Sequence, residues 1–393
     1  MTRIYLDHAA TTPPLPEVCD TMLSYMTREW GNPSSLYDFS DEPRRGVAEA
    51  RAHTAALIHA DPKRIFFTSG GSESDSWALI GCARLLRSQG NHIIVSAIEH
   101  HAILHAAAFL ESEGFVVTYL SPDAAGFIRP ESLRQAMRPD TILVSIMMAN
   151  NEIGTIEPIA DLAYIAHTHG CEGCLFHTDA VQAYGQIPID VQRQGIDLLS
   201  ASGHKIYGPK GIGLLYIREG IELTPLIFGG GQEGGIRGGT ENVPAIAGFG
   251  TAAMVSAVQM RATMRHESAL RDYLIRRVLN EIPFCHLNGS PRNRLPGNAN
   301  FAFEYVEGSS LLMMLDAQGI CASSGSACSS ASATPSHVLT AIGLSDDLAR
   351  ASLRLTLGRE TTKKELDTTV SILKETIGQL RSISDSYQER ISR

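Results

Sequence analysis

With 393 residues, 44% hydrophobic and 19% charged, the chain has the composition of a soluble globular protein too large for one ordinary core, so one large domain and one smaller one are expected. A formal net charge of −9, spread without a Lys/Arg block, argues against nucleic acid or an anionic membrane as partner and for a small substrate. No apolar run approaches the roughly 20 residues that span a bilayer, the first residues lack a signal peptide's apolar stretch, and seven scattered cysteines do not form a disulfide framework; a cytoplasmic setting with reduced thiols is expected.

From residue 64 onward, apolar runs of strand length alternate with longer segments of helical period: 64–68, 72–87, 91–96, 102–113 and 116–120. The rhythm continues through 141–147, 162–169, 175–178, 197–201 and 213–217. Such alternation predicts βαβ units and a mainly parallel sheet with helices on both faces. Around Phe228 it gives way to the glycine-dense run 229–240, a loop whose backbone must approach something closely, and then to a long helical stretch over 244–280. From about Phe284 the strands are shorter, with helices predicted near 309–318, 336–341 and 362–382, which reads as a smaller α+β domain.

Several junctions carry residues able to do chemistry. The strand 65–68 runs through Ser69 and Gly70 into Gly71-Ser72-Glu73, where free N–H groups at a helix start could hold a phosphate, although a plain cap by Ser72 explains the same residues. Lys205 follows an apolar strand within Ser202-Gly203-His204-Lys205; a desolvated lysine there is a candidate Schiff-base nucleophile, and a solvated surface lysine is the alternative. Asp179 ends the strand 175–178, with Gln182 three residues on, and could hold a pyridinium nitrogen protonated or simply make a turn. His100 sits at another strand-to-helix junction, where its ring could lie against an aromatic cofactor or be structural; His101, His105 and His59 read as structural.

Cys328 lies in a loop of small residues that could carry a thiolate to a substrate, while chance exposure would look the same. Cys321 reads as a small buried residue on a strand. Cys171 and Cys174, with His167 and His169 nearby, have the spacing of a metal or dithiol pair, but a helix-to-strand turn explains them better and no metal is expected.

Taken together, the chain resembles the cysteine desulfurases of the NifS/IscS type, fold-type I pyridoxal-phosphate enzymes of the class V aminotransferase group. The resemblance rests on Tyr5-Leu6-Asp7-His8-Ala9-Ala10-Thr11-Thr12-Pro13, Gly31-Asn32-Pro33-Ser34-Ser35, Ala149-Asn150-Asn151-Glu152-Ile153-Gly154, Ser202-Gly203-His204-Lys205-Ile206-Tyr207-Gly208-Pro209-Lys210-Gly211 and Leu353-Arg354-Leu355-Thr356-Leu357-Gly358-Arg359. It implies an α/β fold with a large, mainly parallel seven-stranded sheet domain over 16–255. A small α+β domain would take 1–15 plus 256–393 and carry the cysteine loop at about 321–335.

By the same resemblance, pyridoxal 5'-phosphate would be bound by Lys205 as a Schiff base, with Asp179 at its ring nitrogen, Gln182 at its phenolic oxygen, His100 stacked on the ring and Asn151 nearby. Gly71, Ser72, Ser202 and His204 would hold its phosphate, joined by Thr240 from the other subunit of a homodimer. Arg354 would take the α-carboxylate of L-cysteine bidentately, with Asn151 and Asn32 also near the substrate. Proton shuttling by Lys205 or His100 would precede attack by Cys328 on the sulfur, giving alanine and a Cys328 persulfide for a sulfur-acceptor protein, an iron–sulfur scaffold or thiol carrier. Departures from the family pattern are Gly71-Ser72 where Ala-Thr is frequent, Asp75-Ser76 where Asn-Asn is usual, Gly238 in place of serine, and a carboxyl end, 382–393, with little of the IscS-like docking tail. The competing functions are selenocysteine lyase, sulfinate desulfinase, an aminotransferase, or a sulfur-delivery scaffold with a decayed site.

Overall fold

Strands rich in Ile, Val and Leu that are buried from end to end must pair with neighbours on both sides, and here they build a central sheet. The structure, a computed structural model, describes residues 3–324 and 334–392. Its strands in chain order are β1 (Ile4–Tyr5), β2 (Ile65–Thr68), β3 (His92–Ser96), β4 (Val116–Leu120), β5 (Thr141–Ser145), β6 (Leu175–Asp179), β7 (Leu198–Ser202), β8 (Gly213–Ile217), β9 (Cys285–Leu287), β10 (Asn298–Phe303), β11 (Ile320–Cys321) and β12 (Ser352–Thr356). The large sheet has seven strands in the order β2-β8-β7-β6-β5-β3-β4. Neighbours from β7 to β4 are parallel, and β8 runs antiparallel to both β2 and β7. Every position of β3, β5, β6, β7 and β8 is buried, so these strands are covered on both faces rather than alternating between core and solvent.

Successive residues of one strand feed the two faces. Ile93 and Val95 join a cluster with Trp77, Leu79, Ile103 and Leu110, from the helices Gly71–Leu86 and His101–Ser112. Ile94 points the other way, into a cluster with Leu162 and Ile165 of the helix Ile159–His169 and with Val47 and Ala50 of the helix Asp41–Ala56. The helix predicted over 72–87 begins one residue earlier, and its N-cap is Gly70 rather than Ser72, so the cap reading of Ser72 fails.

The helix Val243–Glu281 crosses much of the molecule. It is capped by the Asn242 side chain, lies on the helices Pro16–Thr27 and Asp41–Ala56, and ends against a second core. Among the described residues it alone is long and apolar enough to cross a membrane, and half of that apolar window is buried in the protein. The second core joins Leu6 from the chain start to Leu274, Val278, Phe301, Leu353 and Leu373, beneath the antiparallel sheet β12-β10-β9. Strands β1 and β11 pair in parallel beside it. Cys321 lies on β11 as expected, but it is half-buried rather than buried.

Trp77 tests the main core: it is 1% exposed, and its indole N–H donates to the Thr224 carbonyl at 3.0 Å. Trp77→Ala should lower unfolding free energy by about 3–5 kcal/mol, read from urea midpoints at unchanged slope. A loss below about 1 kcal/mol would mean that the helix Gly71–Leu86 is not fixed by this contact.

Candidate active site

From β3 the chain moves outward to β4, whereas from β5 it moves to β6 and β7 on the other side, so the winding of the sheet reverses between β3 and β5. A crevice outside the carboxyl ends of parallel strands is the usual consequence. Here it is a cavity of about 340 Å³ whose lining includes His100, Asn151, Asp179, Gln182, Lys205 and Arg354.

Lys205 ends a short 3₁₀ turn, Gly203–Lys205, directly after β7. Its Nζ donates to the carbonyls of Ala9 and Ala10, the latter at 2.8 Å. Asp179, the last residue of β6, is 5% exposed, and its Oδ1 accepts the Val181 N–H at 2.8 Å. Burial raises its carboxyl above the usual range, against the opposing pull of His100 and Lys205. Gln182 donates to the Ala9 carbonyl at 3.0 Å. His100 is the N-cap of the helix His101–Ser112, its Nδ1 accepting the Ala102 N–H at 3.1 Å, which leaves the proton of a neutral ring on Nε2.

At one end of the cavity Gly71 and Ser72 open the helix Gly71–Leu86, and a shallow depression there is also lined by Ser202, His204 and Lys210. The first N–H groups of a helix and its dipole favour an anion. His204 is driven down to about 4 by burial and by Lys205 and Lys210, so at neutral pH it is an uncharged hydrogen-bonding group, with Nδ1 3.1 Å from Thr11 Oγ1. Crowding is tight: a Cβ on Gly71 would meet Val181 Cγ2 at 2.7 Å. Two residues beyond Lys205, Tyr207 takes the left-handed backbone (φ 64°), held there because its N–H donates to Thr12 Oγ1 at 2.7 Å and its hydroxyl accepts the Arg359 N–H at 2.9 Å.

Arg354 on β12 is 2% exposed. Its guanidinium is already engaged: Nη2 donates to Asp7 Oδ1 at 2.9 Å and Nη1 to the Asn151 carbonyl at 3.0 Å, while buried Nε has no partner among the described residues. The two-pronged carboxylate fork read from the sequence is therefore not open, and a carboxylate must share or displace Asp7. Asn32 lies outside the cavity, on an exposed loop where its Oδ1 accepts the Ser34 N–H at 2.9 Å. Thr240 is exposed in a separate depression with Arg237 and Gly239, away from the cavity of its own chain.

Cys328 lies outside the described residues. On either side of it, Ser323 donates to Asp7 at 2.8 Å and Ser336 donates to Glu152 at 2.5 Å. In the turn after Ile159–His169, Cys174 is buried and Cys171 half-buried, and burial raises both thiols. His167 is paired with Asp197 at 2.7 Å, and no group of three or more His, Cys, Asp or Glu placed to hold a metal occurs among the described residues.

Sequence reasoning missed several cavity groups. Glu99 is fully buried, accepts from Ser96 Oγ at 2.5 Å and the Met147 N–H at 2.7 Å, and is raised by burial to about 8. Glu152 is raised by burial to about 7, and Asp75 and His337 also line the wall. Glu152 and Asp7 stood inside quoted motifs; their pairing with Ser336 and Arg354 joins residues far apart in the chain and has no local signal.

An anion seat at a helix start, an amino group on a short turn, a carboxylate buried beside it and an imidazole in the wall fit a phosphorylated pyridine aldehyde. The aminotransferase class-V family model matches residues 4–368. The chain belongs to the class-V aminotransferase family. It is 50% identical over 381 residues to cysteine desulfurase IscS of Methanosarcina thermophila, covering 97% of this chain and 93% of that protein. The solved structure of a NifS-like protein superposes with a TM-score of 0.90 at 34% identity over 96% of this chain and all of that one. SspA, solved in complex with cysteine, matches with a TM-score of 0.80 at 39% identity over 92% of this chain and all of that one. Like the rest of the family, the chain is a pyridoxal-phosphate-dependent enzyme.

Glu99 gives the site a pH signature. Its folded carboxyl titrates near 8 against an ordinary 4.5, so its share of stability is complete below the ordinary value and is lost as pH rises toward about 8. Glu99→Gln should gain on the native protein across that window and hold a constant lead above it, read from thermal unfolding at stepped pH. A lead independent of pH would show that Glu99 is ionised throughout.

Proposed function

We propose that this chain is a cysteine desulfurase that takes sulfur from L-cysteine onto Cys328, releases alanine, and passes the persulfide sulfur to an acceptor protein. The observation that carries this is the convergence of Lys205, Asp179, His100 and Arg354 on one cavity, in a chain half identical to named cysteine desulfurases. The complex of SspA with cysteine supports cysteine as the substrate.

In this reading Lys205 holds the cofactor covalently, Asp179 faces its ring nitrogen, Gln182 its phenolic oxygen, and Gly71, Ser72, Ser202 and His204 its phosphate. When bound, the cofactor draws electrons from the substrate's α-carbon. The protein's own share begins with Arg354 and Asn151, which position the α-carboxylate. Lys205 Nζ, held by two carbonyls, and His100 Nε2 are the groups placed to take and return the α-proton. The Cys328 thiolate then forms a sulfur–sulfur bond as the substrate's carbon–sulfur bond breaks, the bonding pair passing to the substrate carbon, which takes up a proton on the way to alanine. Cys328 is five residues from Ser323, a tether of at most about 18 Å, and Ser323 exchanges backbone hydrogen bonds with Arg354 in the cavity wall.

The exposed position of Thr240 supports a homodimer in which this loop completes the phosphate seat of the partner subunit. The free thiols of the six described cysteines support a reducing, cytoplasmic setting.

Loaded with cofactor and given L-cysteine, the Cys328→Ser protein should bind substrate yet deliver no sulfur to an acceptor thiol, and Lys205→Ala should release no alanine. Normal sulfur delivery by Cys328→Ser would overturn the assignment. Alanine release from selenocysteine at a far higher kcat/KM than from cysteine would favour the lyase reading. Arg354→Lys, which loses the planar fork, should cut kcat/KM for cysteine by roughly 10- to 100-fold, chiefly through KM. An unchanged KM would remove Arg354 from carboxylate binding.

A further inference from the structure

Asp75 is a buried acid that the mechanism above does not use. It lies in the second turn of the helix Gly71–Leu86, is 1% exposed, and lines the same cavity as Asp179. Its Oδ1 is fully buried with no hydrogen-bond partner among the described residues. The surrounding layer is polar and ordered: His177 on β6 joins Ser145 Oγ at 2.8 Å and Ser200 Oγ at 3.0 Å, and its Nε2 lies 3.9 Å from Asp75 Oδ1. Ser200 on β7 also bonds the Asp75 carboxyl.

The charged and titratable groups facing Asp75 are Asp179 at the end of β6, Glu99 after β3 and His177. Two are acids, and burial drives His177 down to about 3, so it carries no charge to neutralise them. Lys205 and His100 act on Asp179. Among the described residues no Lys or Arg forms a salt bridge with Asp75, and burial together with Asp179 pushes its carboxyl well above the usual carboxylate range. A protonated carboxyl and an amide share one property that a carboxylate lacks, a hydrogen to donate.

We infer that Asp75 is a positioning residue that stands as a neutral carboxylic acid in the cofactor cavity and acts through Asp179, so that the acid layer of Asp75, Asp179 and Glu99 carries one negative charge fewer. The proton stays on Asp75, and no bond is broken. This rests on the reading that Asp179 faces the cofactor's ring nitrogen: a second negative charge there would change how firmly that nitrogen holds its proton, and the neutral acid prevents it.

The test uses Asp75→Asn, which keeps size and donor, and Asp75→Ala, which keeps neither. In the cofactor-free protein, the infrared difference between wild type and Asp75→Asn should contain the carbonyl band of a protonated carboxylic acid, and the stability lead of Asp75→Asn should grow by several degrees of melting temperature from about pH 5 to about pH 8. Absence of that band, or a lead that does not change with pH, would overturn the proposal. In the cofactor-loaded protein, the pH midpoint of the cofactor's visible absorbance should be nearly unchanged in Asp75→Asn and shifted in Asp75→Ala, with cofactor dissociation several-fold faster in the latter. Equal shifts in both variants would also overturn it. Asp179→Asn separates the two readings: if it leaves absorbance and cofactor binding untouched, the placement of Asp179 at the ring fails, while the infrared band still decides whether Asp75 holds a proton.

Discussion

Two carbonyl oxygens, of Ala9 and Ala10, hold the Lys205 amino group, and through that contact the first residues of the chain become a wall of the site. The same segment is tied down at several other points. Thr12 donates to the His204 carbonyl at 2.9 Å and accepts the Tyr207 N–H, the Ala9 N–H donates to Thr356 Oγ1 at 2.9 Å, and Asp7 meets Arg354. The short turn 203–205, the end of β12 and the chain start therefore cannot move independently. A part-buried lysine amino group in a cavity is favoured by oxygen acceptors, and carbonyls supply acceptors without adding charge.

The absence of added charge matters because the cavity is already rich in acids. Asp75, Glu99, Glu152 and Asp179 all line it, and burial lifts every one of them above the usual carboxylate range. If all four were ionised, their mutual repulsion would add to the cost of burying each charge. Neutral acids resolve this and serve as hydrogen-bond donors as well. The histidines obey the same logic: His177 and His204 are kept uncharged by burial, so they contribute direction rather than charge to the polar layer beneath the site and to its anion end.

The helices and the buried strands were legible because periodicity is local: 162–169 and 362–382 appear as Ile159–His169 and Lys363–Ser382, the latter with the capping box of Thr362 and Glu365. The junction residues Lys205, Asp179 and His100 were legible for a related reason, since parallel strands bring their carboxyl ends to one edge whatever their separation in sequence. What stayed hidden depends on contacts across the fold. Nothing near Arg354 in sequence announces Asp7, 347 residues away, so the guanidinium looked open when it is occupied. Asn32 sat in a family motif yet is spent on its own loop. Asp75 was visible only as a departure, because a buried carboxyl reads like an exposed one until its neighbours are known.

The cavity wall also holds the described residues on either side of the segment 325–333. After residue 333, Ser336 caps the helix His337–Ala341 and bonds Glu152, and Val338, Leu339 and Ile342 pack on Ile98 and Ile153, which follow β3 and β5. Before residue 325, Ser323 bonds Asp7 and the backbone of Arg354. Both attachments are to elements that carry cavity residues, and one of them, Glu152, is a carboxyl balanced near neutrality. While protonated it is an uncharged partner for Ser336. Once ionised it becomes a stronger acceptor that also attracts Arg354 and His100. The attachment of the cysteine segment and the charge state of the cavity are therefore coupled through one side chain, in a place where substrate binding changes the charge that side chain faces.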